Sequence, residues 1–200
     1  KKMFKNKKGF TLIELIAVVI ILAILMMIAI PSITSVIEDS RKKGTISSLQ
    51  AFVNKARTDI SLGLDEIEKY SFFNGDNKPV IEQNPNHLYF IPWACLDVQK
   101  GEKSGYGAWT EETGVFVKFR EDRDPLYLVQ FKDTTLHSLP MVTDAELDKN
   151  TAQLRQKIKT NNKIPKPLKD VVTYEGKSYS VAARNLIIAK NPDGTACVRK

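Results

Sequence analysis

The sequence predicts an α+β protein in which a long, kinked N-terminal helix packs on a mainly antiparallel β-sheet, with an extra helix near residues 144–159. An apolar run near the N-terminus continues into a segment with a one-sided apolar stripe, and short segments separated by turn residues follow. The 200 residues suffice for a sizeable core. A composition of 42% hydrophobic and 26% charged residues excludes a disordered, collagen-like or purely coiled-coil chain.

The positive charge is concentrated at the N-terminus. Residues 1–9 contain five lysines and no acidic residue, which leaves 25 basic against 23 acidic residues in the rest of the chain. The net charge of +7 is therefore a property of this terminus, and it says little about the partners of the remaining residues.

The first element is an apolar segment long enough to cross a bilayer. Residues 15–30 are apolar without interruption, and extension to residue 10 adds only Thr11 and Glu14 as polar residues. As a helix, 21 residues span about 32 Å, the thickness of the hydrocarbon core. A buried soluble helix normally shows a polar stripe, and a cleaved signal peptide needs a small-x-small site that this segment lacks. We expect residues 10–31 to be retained in the membrane, with the lysine-rich N-terminus in the cytoplasm.

Glu14 interrupts the apolar run. A carboxylate at the bilayer centre costs about 2.5–3.5 kcal/mol, and such residues are usually paired. One interpretation is that Glu14 reaches the headgroups near Lys8. The other is cleavage between Gly9 and Phe10, which creates an amine four residues before Glu14 on the same helix face.

Residues 5–15, KNKKGFTLIEL, resemble the prepilin signature of type IV pilins and type II secretion pseudopilins. The resemblance implies that a prepilin peptidase removes the leader, residues 1–9, after Gly9 and that Phe10 becomes N-methylated. It also implies that Glu14 pairs with the Phe10 amine of an adjacent subunit and that the helix bends at Pro31. Ala23 stands where this family often has a helix-loosening glycine.

The second half of the helix is predicted over residues 32–62. Pro31 should kink the helix without ending it, Gly44 is a potential hinge, and Gly63 is a candidate C-cap. The apolar stripe recurs at intervals of three and four residues, in Ile46, Leu49, Val53, Ala56 and Ile60.

Residues 63–200 are predicted to form an extracytoplasmic globular head. We expect a strand at residues 88–91, two hairpins and a last strand at 186–189. The hairpins comprise residues 114–120 with 126–131 and residues 171–174 with 178–183. Residues 144–159 should be helical, with Thr143 or Asp144 as the cap, and residues 163–169 should be a loop.

Cys95 and Cys197 are the only cysteines and lie outside the membrane in this topology. A bridge between them would close a loop of about a hundred residues and contribute on the order of 4 kcal/mol. The alternative is two reduced thiols. A zinc site that combines them with His87 and His137 lacks the usual paired spacing.

Other chemistry has weaker support in the sequence. The acidic clusters at 111–112 and 121–124 lack the ligand order of a calcium loop, and no nucleophile elbow or phosphate loop is present. We therefore expect no catalytic residue, metal or cofactor. An alternative ligand site is a stacking patch for sugar or single-stranded nucleic acid, formed by Trp93, Tyr106 and Trp109 with Lys100 and Lys103.

The sequence thus favours a structural subunit, a major or minor pilin of a type IV pilus, which serves surface adhesion or motility. It would cross the cytoplasmic membrane once and then enter an extracellular filament. The implied partners are other pilin subunits, the prepilin peptidase, an inner-membrane assembly platform and, before assembly, membrane lipid; a surface ligand of the head is not specified. Alternatives are a pseudopilin of a type II secretion or DNA-uptake machine and a monomeric single-pass protein with an external binding or enzymatic domain.

Overall fold

The computed structural model describes residues 10–98 and 103–198, so the leader with Gly9, and also Lys100, lie outside the described residues. The chain divides into two compact units, residues 1–40 and residues 41–200. The first unit contains the apolar half of the helix, and the second contains the rest of the helix together with all β-strands.

Helix α1 extends over Leu12–Leu62. It continues through Pro31, as predicted, because a proline removes only one intrahelical hydrogen bond. The helix is also continuous through Gly44, the potential hinge. Gly63 follows the last helical residue with φ +103°, a left-handed conformation that glycine adopts readily, and thus ends the helix as predicted.

An eight-stranded sheet forms the centre of the second unit. Its strand order is β2-β1-β10-β3-β4-β5-β6-β7, and all neighbours are antiparallel except the parallel pair β10 and β3. Strands β8 and β9 form a separate antiparallel pair. The strands are β1 (Ser71–Phe73), β2 (Pro79–Val80), β3 (Leu88–Pro92), β4 (Gly114–Arg120), β5 (Arg123–Lys132), β6 (His137–Thr143), β7 (Lys159–Thr160), β8 (Val172–Tyr174), β9 (Lys177–Tyr179) and β10 (Leu186–Lys190). The prediction of an α+β, pilin-like fold is confirmed.

Both predicted hairpins form, with altered ends. Strand β5 begins at Arg123 instead of residue 126, because the turn after β4 occupies only residues 121–122. Strand β9 ends at Tyr179 instead of residue 183. Strand β6 was not predicted, since Pro140 interrupts its sequence. In the structure, the register between β5 and β6 shifts at this proline. Such an irregularity can accommodate a proline within a sheet.

The structure confirms helical structure near residues 144–159 but divides the single predicted helix in two. The structure has two short helices, α2 (Asp144–Lys149) and α3 (Ala152–Lys157), followed by β7. Asn150 adopts a left-handed conformation that ends α2, and the Thr151 side chain then accepts a hydrogen bond from the Leu154 amide, which caps α3. Thr143 caps α2, as expected.

The two faces of the sheet are covered by different elements. All five residues of the predicted stripe on α1 are buried, together with Phe52, in one cluster with the sheet. The opposite face forms a second cluster that includes Val172 of β8 and Tyr179 of β9. Successive side chains of each strand point to opposite faces, so β3 contributes Tyr89 and Ile91 to the first cluster and Leu88 and Phe90 to the second.

Candidate functional site

The first turn of α1 holds Glu14 in a defined position. Its Oε2 accepts hydrogen bonds from the Thr11 amide and from the Thr11 hydroxyl, both at 2.8 Å. In return, the Glu14 amide donates to Thr11 Oγ1 over 3.3 Å. This is the reciprocal arrangement of a capping box, which satisfies amides that are otherwise unpaired at a helix start.

Sequence reasoning missed Thr11, although the spacing T-x-x-E at residues 11–14 is the signal for a capping box. Both bonds from Thr11 end on the same carboxylate oxygen, so Oε1 of Glu14 is left for another donor. The capping role is thus compatible with a second interaction of this side chain.

The side chains of residues 12–30 are exposed in the single chain. Glu14 is the only ionisable residue among them, and even Leu22, one of the most covered, is 47% exposed. Within the part of the chain that the structure describes, α1 is the one helix long and apolar enough to cross a membrane. An all-round apolar helix is stable only where lipid or neighbouring helices cover it. This segment therefore serves as a membrane anchor or as a packing surface.

Near the end of this segment, Pro31 leaves the carbonyl of Met27 without its usual helical donor. The next polar side chains bond back to the helix, with Thr34 Oγ1 donating to the Ile30 carbonyl and Ser35 Oγ to the Ser32 carbonyl, each at 2.9 Å. Hydroxyl groups that bond in this way are hidden from an apolar environment.

The family model described as the prokaryotic N-terminal methylation motif matches residues 4–30. The chain carries a prepilin-type methylation motif. It is also 39% identical over 57 residues to the ComG operon protein 3 homolog of Bacillus licheniformis. That match covers 27% of this chain and 59% of the relative, which is less than two thirds of its length. No solved structure matches the chain.

These matches confirm the resemblance stated from the N-terminal residues, and they support a type IV pilin-like or pseudopilin subunit. The motif covers residues 12–30 of α1 together with Gly9 and Phe10, and it ends one residue before Pro31. Of the residues on which cleavage, methylation and assembly were expected to depend, the structure describes Phe10, Glu14 and Pro31.

A second feature is the pair of cysteines in the head. Cys95 lies in a 3₁₀ turn (Trp93–Cys95) directly after β3, and Cys197 lies in the segment after β10. The structure joins them by a disulfide, with Cα atoms 5.2 Å apart and the two residues 102 positions apart in sequence. Cys95 belongs to the main core cluster and Cys197 packs against it, so the bridge ties the C-terminal segment to the core.

The structure does not bring together the alternative ligand sites. Both cysteines are used in the disulfide, and within residues 10–98 and 103–198 no three metal-binding side chains gather. The prediction that Trp109 belongs to an exposed stacking patch is wrong, because its side chain is 5% exposed and packs edge-on against Phe52 and Phe131. The ring of Tyr106 is stacked on His137, with centroids 3.8 Å apart.

Proposed function

We propose that this chain is a structural subunit, a major or minor pilin, of a type IV pilus filament for surface adhesion or motility. In this proposal a prepilin peptidase cuts after Gly9, Phe10 becomes the N-methylated mature N-terminus, and α1 enters the filament. The match of the methylation motif to residues 4–30 carries the proposal. The role is structural rather than catalytic.

The apolar half of α1 supplies the physical basis for assembly. Before assembly, lipid would cover residues 12–30, with the lysine-rich terminus in the cytoplasm; afterwards, helices of other subunits would cover them. Lipid is about as apolar as a bundle of such helices, so the transfer gains little hydrophobic free energy. Specific polar contacts must then set subunit order, while an assembly ATPase drives extraction at the inner-membrane assembly platform.

Glu14 is the side chain that we propose for this contact. It is the only carboxylate in residues 12–30, and Oε1 is left after the capping bonds to Thr11. Cleavage after Gly9 would create a positive amine on Phe10. The amine of a neighbouring subunit would neutralise the buried carboxylate and fix the register of the two helices.

We also propose that the disulfide between Cys95 and Cys197 forms once the head has left the cytoplasm. Disulfides persist in oxidising extracytoplasmic surroundings. The bridge would then hold the C-terminal segment of each subunit in the filament.

A pseudopilin of a type II secretion or DNA-uptake machine is the second candidate, since the resemblance includes pseudopilins. Abundance separates the two: filaments sheared from cells and probed for this chain would contain it as the main or a regular component if it is a pilin. Its absence from sheared filaments would favour the pseudopilin.

The deciding experiment is N-terminal sequencing and mass spectrometry of the chain isolated from its native membrane and from sheared filaments. The expected terminus is N-methylated Phe10. Replacement of Gly9 by Leu should leave the leader attached, whereas replacement of Lys8 by Ala, a matched change outside the cut bond, should not. A native chain that keeps its leader and forms no multimer would favour the monomeric single-pass protein.

A further inference from the structure

Leu136 lies in the turn between β5 and β6 in a conformation that leucine rarely adopts. Its φ is +67°, in the left-handed region that favours glycine and asparagine. The other described non-glycine residues with positive φ are all polar, and three of these five are asparagine. Leu136 is also 47% exposed, so a large apolar side chain is held in solvent at a strained position. Residues held in such conformations concentrate at binding and other functional sites.

The turn that carries Leu136 lies beside the loop before β4 and beside helix α1. Directly after Leu136, the ring of His137 is stacked on the ring of Tyr106, with centroids 3.8 Å apart. The guanidinium carbon of Arg41, on α1, lies 5.9 Å from the centroid of the Tyr106 ring. Lys103 belongs to the same loop as Tyr106 and is exposed. We call this region the Leu136 surface, and it consists of Arg41, Lys103, Tyr106, Leu136 and His137.

The apolar part of α1 ends shortly before Arg41 in the sequence. Residues 15–37 contain no charged residue, and the hydroxyl groups of Thr34 and Ser35 bond back to helix carbonyls. Lipid can therefore cover the helix as far as Ile37. Arg41 is the fourth residue after Ile37 in a continuous helix, a rise of about 6 Å. The headgroup region on each side of the hydrocarbon core is about 5–8 Å thick, so Arg41 reaches the level of the headgroups.

The Leu136 surface has the chemistry of a membrane interface. Arg41 and Lys103 are exposed cations, which anionic lipid headgroups attract. Tyr106 supplies an aromatic ring with a polar tip, a residue type that is enriched at the level of the headgroups. The nearby carboxylate of Asp133 is buried and accepts hydrogen bonds from two hydroxyl groups, so it does not face a lipid phosphate. Residues 38–43 contain three basic and two acidic residues, so the excess charge there is also positive.

We propose that the Leu136 surface lies on the membrane before assembly and binds anionic phospholipid, with the Leu136 side chain inserted between the headgroups. Apolar area buried in the interface and attraction of cations to anionic lipid together determine the strength of such binding. Lipid would cover the exposed leucine, which explains a large apolar residue at a strained position of the turn. This inference rests on the proposed lipid-covered state of α1, but it depends neither on cleavage nor on filament formation.

The test is fluorescence quenching in vesicles of equal parts phosphatidylglycerol and phosphatidylcholine, into which the full chain is reconstituted at low density so that copies rarely meet. Leu136→Cys carries a fluorophore, and the quencher is a lipid with a nitroxide close to its headgroup. The native cysteines are joined in the disulfide, so the label attaches to the introduced thiol. The matched control is Ile81→Cys, since Ile81 is also an exposed aliphatic residue but directly follows β2, at the far edge of the sheet.

We expect several-fold stronger quenching at residue 136 than at residue 81. Quenching at residue 136 should decrease in vesicles of phosphatidylcholine alone and at high salt, because both conditions weaken the attraction of Arg41 and Lys103 to the headgroups. A chain that floats with the vesicles but is quenched equally at the two positions would overturn this inference and leave the membrane anchor intact. A chain that does not float would overturn both. A label at residue 136 that is shielded only at high protein density, without quenching by lipid, would assign the surface to contacts between copies and overturn the lipid contact.

Leu136→Gly separates membrane contact from a role in folding. Glycine adopts a positive φ without strain, so the urea midpoint of the full chain in detergent should stay the same or rise. Quenching of a label on Thr134→Cys, an exposed position in the same turn, should nevertheless decrease, whereas Ile81→Gly should leave it unchanged. A lower urea midpoint with unchanged quenching would show that Leu136 serves the folding of the turn and would overturn the proposal.

Discussion

The backbone amide of Gly105 donates a hydrogen bond to the Thr45 hydroxyl oxygen, 2.8 Å away, and thereby fixes a loop of the head to helix α1. Thr45 is fully buried, and its hydroxyl donates to the Arg41 carbonyl at 2.9 Å. The hydroxyl of the preceding residue, Ser104, donates to the buried Asp133 carboxylate at 2.5 Å. Two adjacent residues of this loop, Ser104 and Gly105, thus connect Asp133 with helix α1.

Replacement of Gly105 by Ala should destabilise the head. A Cβ at this position would lie 2.4 Å from the Arg41 carbonyl oxygen, a backbone atom that cannot move without displacing the helix. We expect a loss of about 1–3 kcal/mol in the free energy of unfolding, measured by urea denaturation of the full chain in detergent.

Gly44→Ala is the matched control, since a Cβ there meets no atom within 4 Å. Alanine is about 1 kcal/mol better than glycine in a helix interior, so this variant should be as stable as the parent or more stable. If Gly105→Ala behaved in the same way, the close packing of the loop on the helix would be refuted.

The disulfide should contribute much of the stability of the head. Because the bridge closes a loop of about a hundred residues, its loss should cost on the order of 4 kcal/mol, which would appear as a lower urea midpoint. Cys197→Ala and chemical reduction of the parent protein should have similar effects. A midpoint that does not respond to reduction would show that the C-terminal tether is not required.

The stability of the head should fall at alkaline pH. Burial raises the pKa of Tyr70 far above its usual value of 10, and the charge of Asp59 raises it further. Asp59 also accepts a hydrogen bond from the Tyr70 hydroxyl at 3.1 Å. Burial and the Glu175 hydrogen bond raise the pKa of Tyr174 to about 12. Above about pH 10 the unfolded chain loses these protons and the folded chain keeps them, so rising pH favours unfolding; below pH 10 this contribution is fully present.

Tyr70→Phe tests the source of this pH dependence. The variant should lose about 1 kcal/mol at neutral pH, because the hydrogen bond to Asp59 is removed. Between neutral and alkaline pH, the free energy of unfolding should then fall less in this variant than in the parent, as measured by urea titrations at several pH values. An equal alkaline loss in both proteins would place the effect in other tyrosines.

Two substitutions of Glu14 separate its two roles. Glu14→Gln keeps an oxygen that can accept the bonds from Thr11 but removes the charge that would attract the amine of a neighbouring subunit, whereas Glu14→Ala removes both. If pairing with the amine sets subunit order, Glu14→Gln and Glu14→Ala should reduce filament assembly equally. Membrane insertion, measured by fractionation, should stay intact in both variants.

If Glu14→Gln assembled normally and only Glu14→Ala failed, helix capping would be the decisive role. Thr11→Ala tests that explanation, because it removes the hydroxyl group from the same capping box. Normal assembly of Thr11→Ala would contradict the capping role. The three variants together therefore assign the function of this carboxylate.

The stripe on α1 could be predicted because it depends only on local periodicity, and the structure buries all five of its residues. Strand β6 could not be predicted, since Pro140 is acceptable there only because of the register shift with β5. In the same way, the division of the predicted helix at Asn150 rests on two caps that compete with a continuous apolar periodicity. Capping geometry and strand pairing were decisive in these cases.

The amino-acid sequence alone determined the apolar half of the helix, its carboxylate and the motif before it, because hydrophobicity and a short contiguous pattern require no distant partner. Only the tertiary structure decided that Cys95 and Cys197 meet and that β8 and β9 cover the outer face of the sheet. Each of these depends on residues far apart in the chain, and their proximity follows from chain topology and packing rather than from local propensity.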